Sequence, residues 1–284
     1  SGGNYTVSYV ANTTSTIDKA AITVSTSNVT KTYDGTLTAA GTAVVTAGTL
    51  YTNASNGGAL DNLSGGSFAF TDANAGTGNK TVTVGGVTVN DGASGGNYTV
   101  TYASNTTSTI NPFAVSLTGS RVYNGTTVVG TGDLTLGTLV GSETLTLAGS
   151  GSVATRHVGT GKTVDVSGLS LVGDGTAGAG LASNYTFVGG SQTVNVTRAN
   201  LSVTTSDVTK TYDGSLAASG TAVVAAGGTQ LFGADNLSGG SFAFTNANAG
   251  TSKTVNTSAV TVNDGNSGGN YTVSYVANTT STID

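Results

Sequence analysis

The sequence has no cysteine, which excludes a disulfide framework and any thiol chemistry. It also has no methionine and no tryptophan, one proline (Pro112) and one histidine (His157). A lone histidine supplies neither a catalytic triad nor a histidine-based metal site. Charge is scarce as well: 8% of the 284 residues are charged, about a third of the share usual in a soluble domain. A disordered polyelectrolyte, which needs high net charge and few β-branched residues, is thereby excluded. Nine scattered Lys and Arg at a net charge of −5 cannot form the basic stripe of a nucleic-acid binder. No apolar run approaches the length of about 18 residues that suggests a transmembrane helix, and no signal peptide is visible.

What is present is Gly, 44 residues of it, with Thr, Ser, Asn, Ala and Val filling most of the rest. Polar, uncharged and β-branched residues suit exposed strand faces. Apolar and polar residues alternate throughout, as strands require. Tyr5, Val7 and Tyr9 share one parity, as do Tyr98, Val100 and Tyr102, and Phe68 with Phe70. No stretch has a capped 3.6-residue stripe, so very little helix is expected. In all three repeats described below, the parity flips within one candidate strand. Val82 and Val84 give way to Val87 and Val89 across Gly85-Gly86; Val164 and Val166 to Leu169 and Leu171; Val255 and Thr257 to Val260 and Val262. A strand in one register would misplace one pair, so a bulge or tight turn is expected there.

The dominant signal is an internal repeat. Lys31-Thr32-Tyr33-Asp34-Gly35 recurs as Arg121-Val122-Tyr123-Asn124-Gly125 and as Lys210-Thr211-Tyr212-Asp213-Gly214, the tyrosines 90 and 89 positions apart. A second landmark, Asn-Tyr-Thr, falls at Tyr5, Tyr98, Tyr185 and Tyr271. A third, Gly-Thr before Lys-Thr-Val, falls at Lys80, Lys162 and Lys253. Ten of the eleven tyrosines lie on or beside a landmark, Tyr51 being the exception. Residues 1–18 are identical to 267–284, so the pattern closes after 266 residues, or three units of roughly 88–89. Asp61–Phe70 and Asp235–Phe244 are also identical, while the middle unit has diverged. We therefore expect a window cut from a longer array, with any export signal outside it. Residues 1–18 would be the C-terminal part of a preceding repeat, 19–110 repeat 1, 111–197 repeat 2 and 198–284 repeat 3. The expected fold is all-β, an elongated tandem array of small β domains of about 88 residues, each a β-sandwich or β-grasp-like. Domains this small bury thin cores, and neighbours in an array commonly stabilise one another.

At the Lys-Thr-Tyr-Asp-Gly landmark the sequence resembles the YDG-type repeat, a relative of the MBG-type repeat, of large secreted bacterial adhesins. The wider pattern agrees: Val29 to Thr36, Gly159-Thr160-Gly161-Lys162-Thr163-Val164, and Gly96-Asn97-Tyr98-Thr99. The middle repeat departs from it at Arg121 and Asn124. The resemblance implies a filamentous-haemagglutinin-like protein at the bacterial cell surface or outside the cell, exported by a two-partner or autotransporter-type route. Its repeats would form a stalk or fibre serving cell adhesion, aggregation and biofilm. It brings no catalytic residues, and no enzyme activity, cofactor or metal is expected. The expected partners are neighbouring repeats, extracellular polysaccharide or other copies of the chain.

Each candidate chemistry has a plainer rival. Asp34, Asp61, Asp72 and Asp91 sit in loop-like sequence, but calcium needs six to eight oxygen ligands, and turn formation by Asp is the simpler reading. A Lys–Asn isopeptide bond could draw on Lys80, Lys162, Lys253 and Asn97, Asn184, Asn270. It requires a catalytic acid, and no carboxylate is shared by all three repeats at a landmark. Tyrosines could stack on sugars, but strand-face Tyr is more often core. Sequons such as Asn62-Leu63-Ser64 and Asn105-Thr106-Thr107 arise readily in a chain so rich in Asn and Thr. The landmark residues Tyr33, Asp34, Gly35, Tyr123, Asn124, Gly125, Tyr212, Asp213, Gly214, Tyr98, Tyr185 and Tyr271 are accordingly assigned structural roles. Sparse charge also leaves strand edges free to pair with another chain.

Overall fold

The computed structural model describes residues 3–175, 179–228 and 230–284. They contain strands and three single-turn 3-10 segments, with no α-helix among them, and no helix long and apolar enough to cross a membrane. The chain divides into two units, residues 1–113 and 114–284. The first contains repeat 1, the second repeats 2 and 3.

Repeat 1 is built from two sheets. One places Ala20–Thr26 between Ala43–Ala47, antiparallel, and Tyr98–Tyr102, parallel. The other is ordered Thr30–Thr32, Asn105–Asn111, Gly76–Asn90, Asn62–Phe70. Residues 20–32 and 98–111 thus run side by side and change sheets together. Ile22, Val24 and Tyr98 from the first sheet pack with Val87, Val89 and Leu63 from the second, so the repeat is a small sandwich with a core to which both sheets contribute. Repeat 3 has the same plan. Ala199–Thr205 lies between Ala222–Val224 and Tyr271–Tyr275, and the second sheet is ordered Thr209–Lys210, Asn278–Ile283, Gly250–Asn263, Asn236–Phe244. In repeat 2 the strand Leu117–Val122 runs parallel to Thr193–Thr197 within a seven-stranded sheet.

The parity flip has two solutions. In repeat 2 a bulge is present: between Gly149↔Leu169 and Ser152↔Asp165, three steps on one strand oppose four on the other. In repeats 1 and 3 neither the bulge nor the tight turn expected there forms and the ribbon holds register, with Phe68↔Val84 and Gly65↔Val87 both three steps apart. Both strands reverse face together instead, through left-handed residues on each side. These are Gly65, Gly66 and Gly86 in repeat 1, and Gly239, Gly240 and Ala259 in repeat 3. Glycine adopts that region without the Cβ penalty, and the reversal returns Val87 and Val89 to the core.

The expected strand at Tyr5, Val7 and Tyr9 does not form. Residues 3–18 carry no strand, and Tyr5 is 85% exposed; Ser1 and Gly2 lie outside the described residues. The identical residues 267–284 form Tyr271–Tyr275 and Asn278–Ile283, with Tyr271 and Ile283 buried. Strands need partners to satisfy their backbone groups, and 267–284 find them in Ala199–Thr205, Thr209–Lys210 and Gly250–Asn263. The same 18 residues are therefore ordered by context, not by propensity.

The paired reversal yields a prediction. A Cβ at Gly240 (φ 111°) would come within 2.8 Å of Phe242 and 2.9 Å of Val260, whereas one at Gly239 (φ 66°) meets nothing within 4 Å. Gly239→Ala should cost about 1–2 kcal/mol for the left-handed backbone alone. Gly240→Ala should cost about 1–3 kcal/mol more through overpacking, measured by urea unfolding of the two variants side by side.

Candidate functional site

The landmark Tyr-Asp-Gly forms a rigid turn that presents its tyrosine. The backbone N–H of Tyr33, Tyr123 and Tyr212 donates to Asn111, Thr197 and Asp284 O at 2.8, 2.8 and 2.7 Å, the same bond in each repeat. Asp34 Oδ1 accepts from Thr36 N–H at 2.9 Å and from Lys31 Nζ at 2.7 Å, while Lys31 Nζ also reaches Thr36 O at 2.6 Å. Asp213, Ser215 and Lys210 repeat this wiring. The bond from Lys210 is the main cause holding the Asp213 carboxyl down, to about 2. Gly35, Gly125 and Gly214 close the turns at φ 73–77°. The middle repeat keeps the geometry with different atoms. Arg121 Nη1 bonds Asn124 Oδ1 and Arg121 Nη2 donates to Thr126 O at 2.6 Å, so the guanidinium fork does what the lysine ammonium does elsewhere.

The Asn-Tyr-Thr landmark forms a socket. Tyr98, Tyr185 and Tyr271 Oη donate to Asp61 Oδ2, Glu143 Oε2 and Asp235 Oδ2 at 2.8, 2.7 and 2.8 Å. Each Oη also accepts a backbone N–H, from Tyr51, Val140 and Phe232 respectively. A carboxylate is thus common to all three repeats, although none stands at a landmark in the sequence. Its separation from the tyrosine varies, 37, 42 and 36 residues, which hides the correspondence. Asp61 is accordingly not a turn former, unlike Asp34, Asp72 and Asp91, each of which accepts from the backbone two residues on. Asp264 closes the loop before the socket by accepting from the N–H groups of Asn266, Gly268 and Asn270 at 2.7–2.9 Å. Burial would push this carboxyl up, but the three amides outweigh it and hold it below the usual range.

Between repeats 2 and 3 the two parts meet. Tyr123, 1% exposed, donates from Oη to Asp235 Oδ2 at 2.9 Å, beside the bond from Tyr271. Arg156 Nη2 donates to Asp235 Oδ1 at 2.8 Å and to Asp264 O at 3.2 Å. Asn270 bonds His157 Nδ1 at 3.0 Å and accepts from Val158 N–H at 3.0 Å. The rings of Tyr123 and Tyr271 meet edge to face at 5.4 Å, and Phe232 lies 5.9 Å from Tyr123. A Cβ on Gly125 would come within 2.7 Å of Phe232, so the turn glycine also permits close approach. Tyr123 and Val196 of repeat 2 belong to one core with Leu201, Val262 and Tyr271 of repeat 3. Arg156, His157 and the partner aromatic Phe232 carried no repeat signal, since each stands at a diverged position.

The lysines of the third landmark engage neighbours rather than the Asn of the second. Lys80 pairs with Asp72, Lys162 donates to Thr155 Oγ1 at 2.8 Å, and Lys253 donates to Asn246 Oδ1 at 2.6 Å. Among the described residues no group of three or more His, Asp or Glu is placed to hold a metal ion.

Burial, reinforced by the bond to the Asp235 carboxylate, pushes the Tyr123 hydroxyl up to about 12, and Tyr271 is raised by the same causes. A raised acid binds its proton more tightly when folded, so this stabilisation is complete below about pH 10, the unfolded value. It is lost as pH rises through about 12. Alkaline titration followed by ultraviolet absorbance should therefore show Tyr123 ionising together with loss of the repeat 2–repeat 3 contact. Tyr123→Phe removes a bond to a charged acceptor and should cost about 1.5–3 kcal/mol in urea unfolding of that pair.

No curated protein and no solved structure matches this chain. The YDG domain does, over residues 18–109, 106–194 and 197–281. The Tyr-Asp-Gly landmark, Tyr-Asn-Gly in the middle repeat, falls once in each match, and the chain, which contains this domain three times in tandem, belongs to the YDG domain family.

Proposed function

We propose that this chain is a structural segment of an extracellular bacterial adhesin, in which the repeats form a stalk or fibre that spaces an adhesive tip from the cell surface. The route would be two-partner or autotransporter-type export, and the role would be support of attachment, aggregation or biofilm. The observation that carries this reading is the joint itself: Tyr123, Asp235 and Arg156 weld one repeat to the next through a buried, hydrogen-bonded carboxylate. A spacer under load needs such contacts more than it needs a site. The landmark polar groups support the same view, because the turn Asp and Lys side chains are spent on one another. A glycan-binding array would instead keep aromatic and polar groups free at corresponding places in each repeat, yet Tyr98, Tyr185 and Tyr271 are all buried.

The test is binding of the three-repeat chain, with a single-repeat version beside it, to immobilised extracellular polysaccharides and host glycans. A spacer should give flat responses for both up to about 100 μM, near −5.5 kcal/mol. Binding that strengthens sharply from one repeat to three would replace the spacer with a multivalent adhesive.

A further inference from the structure

The first and last strands of each repeat form one parallel ribbon, and the chain enters and leaves the repeat at the ribbon's opposite ends. In repeat 1 Ala20–Thr26 pairs in parallel with Tyr98–Tyr102, then Thr30–Thr32 with Asn105–Asn111. Repeat 3 pairs Ala199–Thr205 with Tyr271–Tyr275 and Thr209–Lys210 with Asn278–Ile283 in the same way. Repeat 2 pairs Leu117–Val122 with Thr193–Thr197. In repeat 1 the ladder is interrupted where the ribbon changes sheets: between Val24↔Tyr102 and Thr30↔Thr109, six steps on the first strand oppose seven on the last. Side chains close that gap. Ser108, fully buried, accepts from Val29 N–H at 3.0 Å and donates to Asn105 Oδ1 at 2.9 Å, while Asn105 Nδ2 donates to Thr26 O at 3.0 Å. Repeat 3 does the same, Ser281 accepting from Val208 N–H at 3.0 Å and Asn278 Nδ2 donating to Thr205 O at 3.3 Å.

The strands that lead out of one repeat and into the next follow each other almost without a break. Pro112 alone separates Asn105–Asn111 from Phe113–Ala114, and Arg198 alone separates Thr193–Thr197 from Ala199–Thr205. Tension along the chain therefore passes from strand to strand, and it pulls the two strands of each ribbon in opposite directions along their length. Parallel ladder bonds are evenly spaced, so they share such a load and must break together. A load applied across the ribbon opens them one at a time. We propose that this ribbon is a shear clamp, which makes each repeat a load-bearing element, with the buried serine and its asparagine carrying the clamp of repeats 1 and 3 across the change of sheet. That such a load arises rests on the stalk reading; the clamp itself is tested without it.

The experiment is single-molecule force spectroscopy of the full chain through engineered thiols, which are unique because the sequence has no cysteine. Lys19→Cys/Asn111→Cys places the handles at opposite ends of the repeat 1 ribbon. Lys19→Cys/Ala93→Cys places both near one end, where Ala20 pairs with Tyr98; all three positions are exposed. At equal loading rate the first pair should withstand a higher unfolding force than the second. Ser108→Ala, which cuts the clamp, should speed rupture of the first pair by roughly two- to tenfold, the rate equivalent of one hydrogen bond. Gly65→Ala strains a left-handed position (φ 63°) on a strand outside the clamp. It should lower stability in urea yet leave that rupture rate unchanged, because forced unfolding follows the unfolding rate rather than the equilibrium. A force for the first pair no higher than for the second, or equal acceleration by Ser108→Ala and Gly65→Ala, would overturn the proposal. The comparison of directions needs neither variant to fold. Neither result bears on glycan binding, so the clamp and the stalk readings fail separately.

Discussion

A buried carboxylate is costly unless its oxygens are bonded, and in repeat 3 that requirement is met from two repeats at once. Asp235 Oδ2 takes Tyr271 from its own repeat and Tyr123 from the one before, while Oδ1 takes Arg156, also from the one before. Neither repeat alone satisfies the group. Separation of the repeats would leave a charge with one of its three side-chain partners, a far larger penalty than loss of an equal area of apolar contact. The carboxylate therefore converts two marginal sandwiches into one cooperative pair, and the shared core of Tyr123, Leu201 and Tyr271 follows from the same contact.

The rest of the architecture serves to aim the tyrosine. A phenol that must reach a fixed oxygen needs a rigid mount, and the mount is a parallel strand pair ending in a left-handed glycine turn. The few charges of the chain are concentrated on this task. Of nine Lys and Arg, Lys31, Arg121 and Lys210 clamp the three turns, and Arg156 completes the joint. Lys80, Lys162 and Lys253 tie the ends of the connection leading into the long strand. A surface otherwise made of Thr, Ser, Asn and Gly leaves these interactions free of competing ion pairs.

The sequence made the landmarks plain because turns and mounts depend on local spacing. Lys31 and Asp34 are three residues apart and Asp34 bonds Thr36, so a repeat search finds them intact. The all-β class and the parity flips were legible for the same reason. The socket acid was not, because Asp61, Glu143 and Asp235 reach their tyrosines across connections of unequal length, and only the fold brings them into register. Tyr51 looked like the one tyrosine without a place, yet its contribution to the socket is a backbone N–H, to which side-chain identity is irrelevant. The unpaired state of residues 3–18 has no signature in their residue types, since the identical residues 267–284 form two strands.

The divergence of the middle repeat then acquires a physical meaning. Its Arg121–Asn124 turn preserves the turn geometry without a carboxylate, so the Tyr123 mount adds no further negative charge beside Asp235. Arg156 and His157, which stand where repeats 1 and 3 have Ala and Asn, spend their donors and acceptors on repeat 3. Both changes act on the outgoing face of repeat 2, and both favour burial of the Asp235 carboxylate. Divergence at a face that meets a neighbour is what selection on joints, rather than on a ligand site, would leave behind.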